Sequence, residues 1–155
     1  WELLAGLAAG GMTRGIAVGI VAAIVLGAFG DIGLPAAPFA AICFLVLGSL
    51  ALSFAGILAG VWANKFDEMA AITNFVIQPL AFLSGTFYSV DRLPPPFDLV
   101  ATLNPVFYAI DGFRFGLIGV ADRPVVTGLL VLVLVNLVLG ALCYRVLASG
   151  FRLKS

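Results

Sequence analysis

Residues 124 to 144 read PVVTGLLVLVLVNLVLGALCY, from Pro124 to Tyr144, without one charged side chain. A helix of that length rises about 30 Å, the thickness of a bilayer's hydrocarbon core. Working outward, three more runs have the same character. Met69 to Val90 is uncharged, and so is Ile32 to Asn64, where Pro35 and Pro38 mark the helix start. Leu3 to Gly30 is interrupted only by Arg14. The reading is an all-α membrane protein with four spanning helices, at about residues 12–30, 38–62, 69–88 and 125–147. The whole of 1–155 then forms one transmembrane domain.

Composition agrees. The chain is 63% hydrophobic and 10% charged, with a mean hydropathy of +1.19. A soluble domain carries about 25% charged residues to make a wettable surface. There is no His, which excludes His-based acid–base catalysis and His-ligated metals. Cys43 and Cys143 each lie inside an apolar run and read as small hydrophobes, not as a disulfide framework. Net charge is zero with no basic block, so nucleic acid has no electrostatic footprint to meet. No glycine-rich run ends in Gly-Lys-Ser/Thr, so no P-loop is present. Nothing after Trp1 reads as a cleavable signal, and the chain is expected to be part of something longer.

A fifth apolar stretch, Leu99 to Ile110, is too short to span. It follows Pro94-Pro95-Pro96, is broken at Asn104-Pro105, and ends at Asp111 and Arg114. Proline ends helices and Asn-Pro favours a turn. Residues 93–116 are therefore read as a short re-entrant helical pair before the last span, in preference to an outer loop. Asp111 and Arg114, three apart, are expected to pair and fix this element. An exposed pair is worth only tenths of a kcal/mol, so its effect would be geometric.

Lys and Arg set the orientation. One side holds Arg14, Lys65, Arg145, Arg152 and Lys154 against Glu2, Asp67 and Glu68. The other holds Arg92, Arg114 and Arg123 against five aspartates, Asp31, Asp91, Asp98, Asp111 and Asp122. The C-terminus and the turn at 64–68 are thereby expected in the cytoplasm. Arg14 would cost about 2.5–3.5 kcal/mol at the bilayer centre and is expected to snorkel to the cytoplasmic edge.

Within the spans, Gly11, Gly15, Gly19, Ala23 and Gly27 form a small-residue stripe, repeated more weakly by Gly56 and Gly60. Such a stripe lets another helix backbone approach closely, within the subunit or between subunits, and packing within the subunit is the favoured reading. In the third span Asn74 and Gln78 lie one turn apart, with Ala81 and Gly85 continuing that face and Pro79 expected to kink or loosen the helix. Interhelical hydrogen bonds and a cargo-lining face fit this spacing equally well. The lone Asn136 reads as an interhelical hydrogen bond. Phe82, Phe87, Tyr88, Phe97, Phe107, Tyr108, Phe113 and Phe115 read as an interfacial aromatic belt, with a surface for sugar rings or acyl chains as the alternative.

Several of these residues stand in a familiar order. Lys65-Phe66-Asp67, Asn74-Phe75-Val76-Ile77-Gln78-Pro79-Leu80 and Phe82-Leu83-Ser84-Gly85-Thr86-Phe87-Tyr88 resemble the membrane subunits of type-2 ABC transporters. Leu93-Pro94, Asn104-Pro105, Tyr108, Asp111, Arg114 and the tail Ser149 to Lys154 continue the likeness, closest to permeases for drugs, nodulation oligosaccharides and polysaccharides. The resemblance implies the C-terminal part of an exporter permease, multi-pass in the bacterial inner membrane. It implies six spans in the whole subunit, with two and a coupling helix preceding Trp1. It also implies a dimer with a second permease subunit, a homodimer by preference, and a separate ATPase subunit that holds ATP, leaving no cofactor and no catalysis on this chain. By the same likeness Lys65, Phe66 and Asp67 would contact the ATPase. Asn74, Gln78, Ser84 and Thr86 would line the pathway. Pro94, Asn104, Pro105, Tyr108, Asp111 and Arg114 would form the re-entrant gate. A passive channel or membrane scaffold remains the alternative. A membrane-embedded enzyme is disfavoured, since the acidic residues are scattered and no base accompanies them.

Overall fold

Pro38, whose ring fixes φ and removes an N–H that a first turn leaves unused anyway, opens the helix Pro38–Trp62 that the rest of the chain packs on. The computed structural model describes residues 2–29, 35–63, 65–84 and 97–149. All regular structure among them is helical. The order is α1 (Glu2–Phe29), α2 (Pro38–Trp62), α3 (Phe66–Ile72), a π-helical turn (Thr73–Ile77), α4 (Gln78–Phe82), α5 (Phe97–Leu103), α6 (Pro105–Ile118) and α7 (Val125–Ala148). Three helices, α1, α2 and α7, are long and apolar enough to cross a membrane. Leucines, valines and phenylalanines on their outer faces are exposed, as a lipid-facing surface requires.

The third apolar run is built differently. α3, the π turn and α4 follow one another with seven, five and five residues, together about 25 Å at ordinary helical rise. Pro79 explains the π turn. Its missing N–H leaves the ladder one donor short, and the helix widens just before it, with Gln78 N–H donating to Thr73 O five residues back. Residues 85–96 lie outside the described residues, so the outer end of this run is taken up below only as a proposal.

Close helix contacts fix the depth of every element. Along α1, Gly11, Gly15 and Gly19 face Ser53, Ser49 and Leu45 of α2, so the small-residue stripe packs within the chain. Ser53 Oγ also donates to Ala8 O at 3.2 Å. α7 runs parallel to α2, with Asn136 Nδ2 donating to Leu47 O at 3.0 Å and Cys143 Sγ–H to Phe54 O at 3.3 Å. The antiparallel α1–α2 register sets Arg14 level with Leu50, the middle residue of α2. Arg14 thus lies twelve residues inside α1, away from both ends of the helix and not at the start of the span where the sequence alone puts it. The edge expectation took the span to begin near residue 12, whereas the helix begins at Glu2.

The core gathers where α2, α6 and α7 meet: Phe44, Phe107, Tyr108 and Leu132, with Ala101 of α5. Phe107 is fully buried and Tyr108 nearly so, their rings edge to face at 5.1 Å. These two aromatics are therefore core residues and not part of an interfacial belt. Burying them fastens α6 to α2 and α7.

Candidate functional site

α6 lies alongside the N-terminal half of α2 because glycine lets the backbones touch. A Cβ on Gly116 would fall 2.5 Å from the Cα and Cβ of Ala41, and one on Gly112 would overlap the Phe44 ring. One turn further, Ala109 meets Gly48. Gly116 O and Leu117 O, carbonyls the end of α6 leaves unpaired, accept from Ala37 N–H at 2.9 Å and Ala36 N–H at 3.2 Å. Gly119 closes the helix in the left-handed region at φ 75°, where its N–H reaches Phe115 O. Followed toward the start of α6 along this antiparallel register, Pro105 comes level with Leu52, two residues past the middle of α2.

The tip is held by one side chain. Asn104 Oδ1 caps α6 by accepting from Val106 N–H at 3.0 Å, and Pro105 takes the first helical position. Asn104 Nδ2 donates to Leu80 O of α4 at 2.6 Å. That carbonyl is available because Ser84 N–H, its partner in a continued helix, turns instead to Ala81 O. The Ser84 hydroxyl donates to the same Ala81 carbonyl, and the side chain is buried. One buried amide thus joins the corner between α5 and α6 to the third apolar run.

The C-terminal half of α6 and the turn after it carry the charge. Asp111 Oδ1 accepts from Arg114 Nη2 at 2.6 Å and from Asp122 N–H at 2.9 Å, and its Oδ2 accepts from Arg123 N–H at 3.1 Å. Arg114 Nη2 also meets Asp122 Oδ1 at 3.1 Å. Burial lowers the Arg114 pKa, and the hydrogen bonds to Asp111 and Asp122 more than offset that, leaving it above its ordinary value. Asp111 is 4% exposed, so the pair is not the weak, exposed one expected from spacing. The carboxylate is a hub that folds the α6–α7 turn back onto α6. Asp122 was invisible to spacing arguments, since it returns only after Gly119 reverses the chain.

Other sequence candidates do not converge there. Asn74 and Gln78 are exposed on the third run, beside Phe75, and their amides bond to no described helix. Hydrogen bonding to the described helices is thus not their role. Lys65, the N-cap residue of α3, and Asp67 are exposed at the α2–α3 turn, while the side chain of Phe66 lies outside the described residues. Thr86 and Pro94 lie outside them as well.

Comparison with known proteins assigns the family. The model for the ABC-2 type transporter matches residues 1–118. The chain is 37% identical over 153 residues to the inner membrane transport permease YadH of Escherichia coli K12, covering 99% of this chain and 59% of that protein. Nodulation protein J of Rhizobium leguminosarum bv. viciae is 33% identical over 105 residues, 68% of this chain and 39% of the relative. Nodulation protein J of Neorhizobium galegae is 28% identical over 137 residues, 88% and 47% of the two chains. The chain therefore spans about three fifths of the length of the permease it matches. No solved structure matches. With the match over its N-terminal three quarters and a permease relative along nearly its whole length, this multi-pass membrane chain belongs to the ABC-2 type transporter family.

Proposed function

We propose that the chain is the C-terminal membrane-spanning part of an exporter permease subunit, driven by a separate ATPase subunit and paired with a second permease subunit, by preference a copy of itself. The observation that carries this reading is the α5–α6 pair. Its tip reaches the mid-depth of α2, and non-helical backbone at that depth is tolerated only beside protein or a water-filled cavity. A pathway beside the tip supplies such a cavity. Pro94, Asn104, Pro105, Tyr108, Asp111 and Arg114 then act as the outer gate, with the third run as a fourth span. Asn74 and Gln78, exposed and without partners among the described helices, suit a face toward a pathway or second subunit, with Ser84 and Thr86 at its outer end. The C-terminus and the α2–α3 turn are cytoplasmic in this reading, so that Lys65, Phe66 and Asp67 meet the ATPase, in the inner membrane of a bacterium. The cargo is a drug, a lipid or an oligo- or polysaccharide.

The test is purification of the tagged full-length protein from native membranes, with a Cys at position 65 for crosslinking. Stoichiometric recovery of a P-loop ATPase and an adduct from position 65 are expected. Recovery without an ATPase, under conditions that keep a known exporter intact, would overturn the proposal, as would cargo flux that needs no ATP.

A further inference from the structure

Between α1, α2 and α6 runs an open groove of about 990 Å³, lined by Leu7, Leu52, Gly56, Gly60, Val106 and Ile110 among other apolar or small residues. It follows α2 from Phe44 to Val61, about 25 Å at the rise of a helix. Among the described residues, one charged side chain lines it, Arg14, and no acidic one does. Arg14 stands level with the middle of α2 and within a turn of the depth of the re-entrant tip. Its guanidinium makes no ion pair or hydrogen bond among the described residues.

An arginine at this depth is costly and is kept facing a cavity or an opposite charge. Here the groove supplies apolar walls and a cationic centre, but no counter-charge. The ligand that complements both is an amphiphile whose hydrocarbon lies along the groove and whose oxyanion meets the guanidinium. Arginine suits that head because its planar fork binds phosphate bidentately. Gly56 and Gly60 leave room for the tail, since an added Cβ at either meets nothing within 4 Å.

We propose that this groove is a binding site for an anionic lipid carrying a phosphate head, with Arg14 as the head-group ligand. The proposal rests on the permease reading, of which it names the cargo class. A lipid crossing the membrane must bring its head group through the midplane, and Arg14 offsets the charge where hydrocarbon tolerates it least.

The test uses the full-length protein in phosphatidylcholine vesicles, without ATP, and a phosphatidic acid carrying a photoactivatable group in its acyl chain. Adducts are mapped by mass spectrometry. Wild type should label within α2 between Gly48 and Val61. Arg14→Gln should lower that labelling about fivefold or more, and Arg14→Lys, which keeps the charge and loses the fork, should lower it less. Gly56→Phe, which fills the groove without touching the charge, should lower labelling as well and serves if Arg14→Gln fails to fold. A diacylglycerol probe with the same tail, which carries no phosphate, should be insensitive to Arg14. Equal labelling of wild type and Arg14→Gln, or of wild type and Gly56→Phe, overturns the site, as does a crosslink from position 14 to a protein carboxylate. Because binding is read without ATP, failure of the site is distinguishable from failure of the permease reading. The latter appears as absence of an ATPase or as ATP-independent flux.

Discussion

Replacing Gly116 with alanine adds one methyl group where there is no space for it. The new Cβ would lie 2.5 Å from Ala41 Cα and Cβ, and the obstructing atoms include α2 backbone, which cannot rotate aside. Restoring ordinary carbon contacts of about 3.5–4.0 Å requires α6 and α2 to part by roughly 1 Å or more. That shift acts on the bonds from Ala37 N–H to Gly116 O at 2.9 Å and from Ala36 N–H to Leu117 O at 3.2 Å. Overpacking costs typically 1–3 kcal/mol, and a weakened hydrogen bond adds about 0.5–1.5 kcal/mol, so a loss of about 2–4 kcal/mol is expected. Gly60→Ala is the control: its Cβ meets nothing within 4 Å, and helix propensity predicts neutrality or a gain of about 0.5–1 kcal/mol. Thermal unfolding of the full-length protein in detergent, followed by the size-exclusion profile of heated samples, separates the two. A Gly116→Ala protein that melts with wild type would refute the argument that backbone proximity seats the re-entrant helix.

Asp111→Asn should destabilise by about 1–3 kcal/mol, because its amide cannot accept from Arg114 and from both the Asp122 and Arg123 N–H groups; an unchanged melting temperature would remove Asp111 from its place as a hub. Asn136→Leu should cost less than about 1 kcal/mol, since interhelical hydrogen bonds in membranes average about 0.6 kcal/mol and Asn136 Oδ1 is buried without a partner; a larger loss would show the Leu47 contact to be underrated. Asn104→Ser keeps a neutral cap on Val106 N–H yet is too short to reach Leu80 O, whereas Asn104→Ala loses both. Unfolding should therefore rank wild type above Ser above Ala, each step about 1 kcal/mol, and equal losses for the two variants would remove one of the two bonds from the account.

Local signals in the sequence carry most of the helical architecture. Pro38 begins α2, Asn104-Pro105 separates α5 from α6, and the uncharged run after Pro124 becomes α7. Each depends on a ring, a cap or a stretch of apolar side chains that acts within a few residues. What the sequence conceals is depth. α6 is placed by Gly112 and Gly116 against Phe44 and Ala41, contacts some seventy residues apart that no periodicity announces. Arg14 misleads for the same reason: a lone charge looks like a boundary until the register with Ser49 and Ser53 sets it at mid-span. Phe107 and Tyr108 look interfacial because aromatic residues at a span's outer end usually are, and only the fit of α6 between α2 and α7 turns them inward. Asn74 and Gln78 are legible as polar positions, but the face they present follows from the loose seating of the third run, which spacing does not encode.

That seating has a physical cause. α2 meets α1, α6 and α7 along lines where one partner offers glycine, alanine or serine, so backbones approach and the contacts are extensive and stiff. The third run has no such line. It touches α2 through α3 and α6 through α4, and between those two contacts lies a π turn already weakened by Pro79. Among the described residues, a segment held through α3 and α4 and softened between them is the part that can move at least cost, while α2, α6 and α7 around Phe44 resist deformation. Because Asn104 ties Leu80 of α4 to the corner between α5 and α6, displacement of α4 and displacement of that corner are mechanically one event.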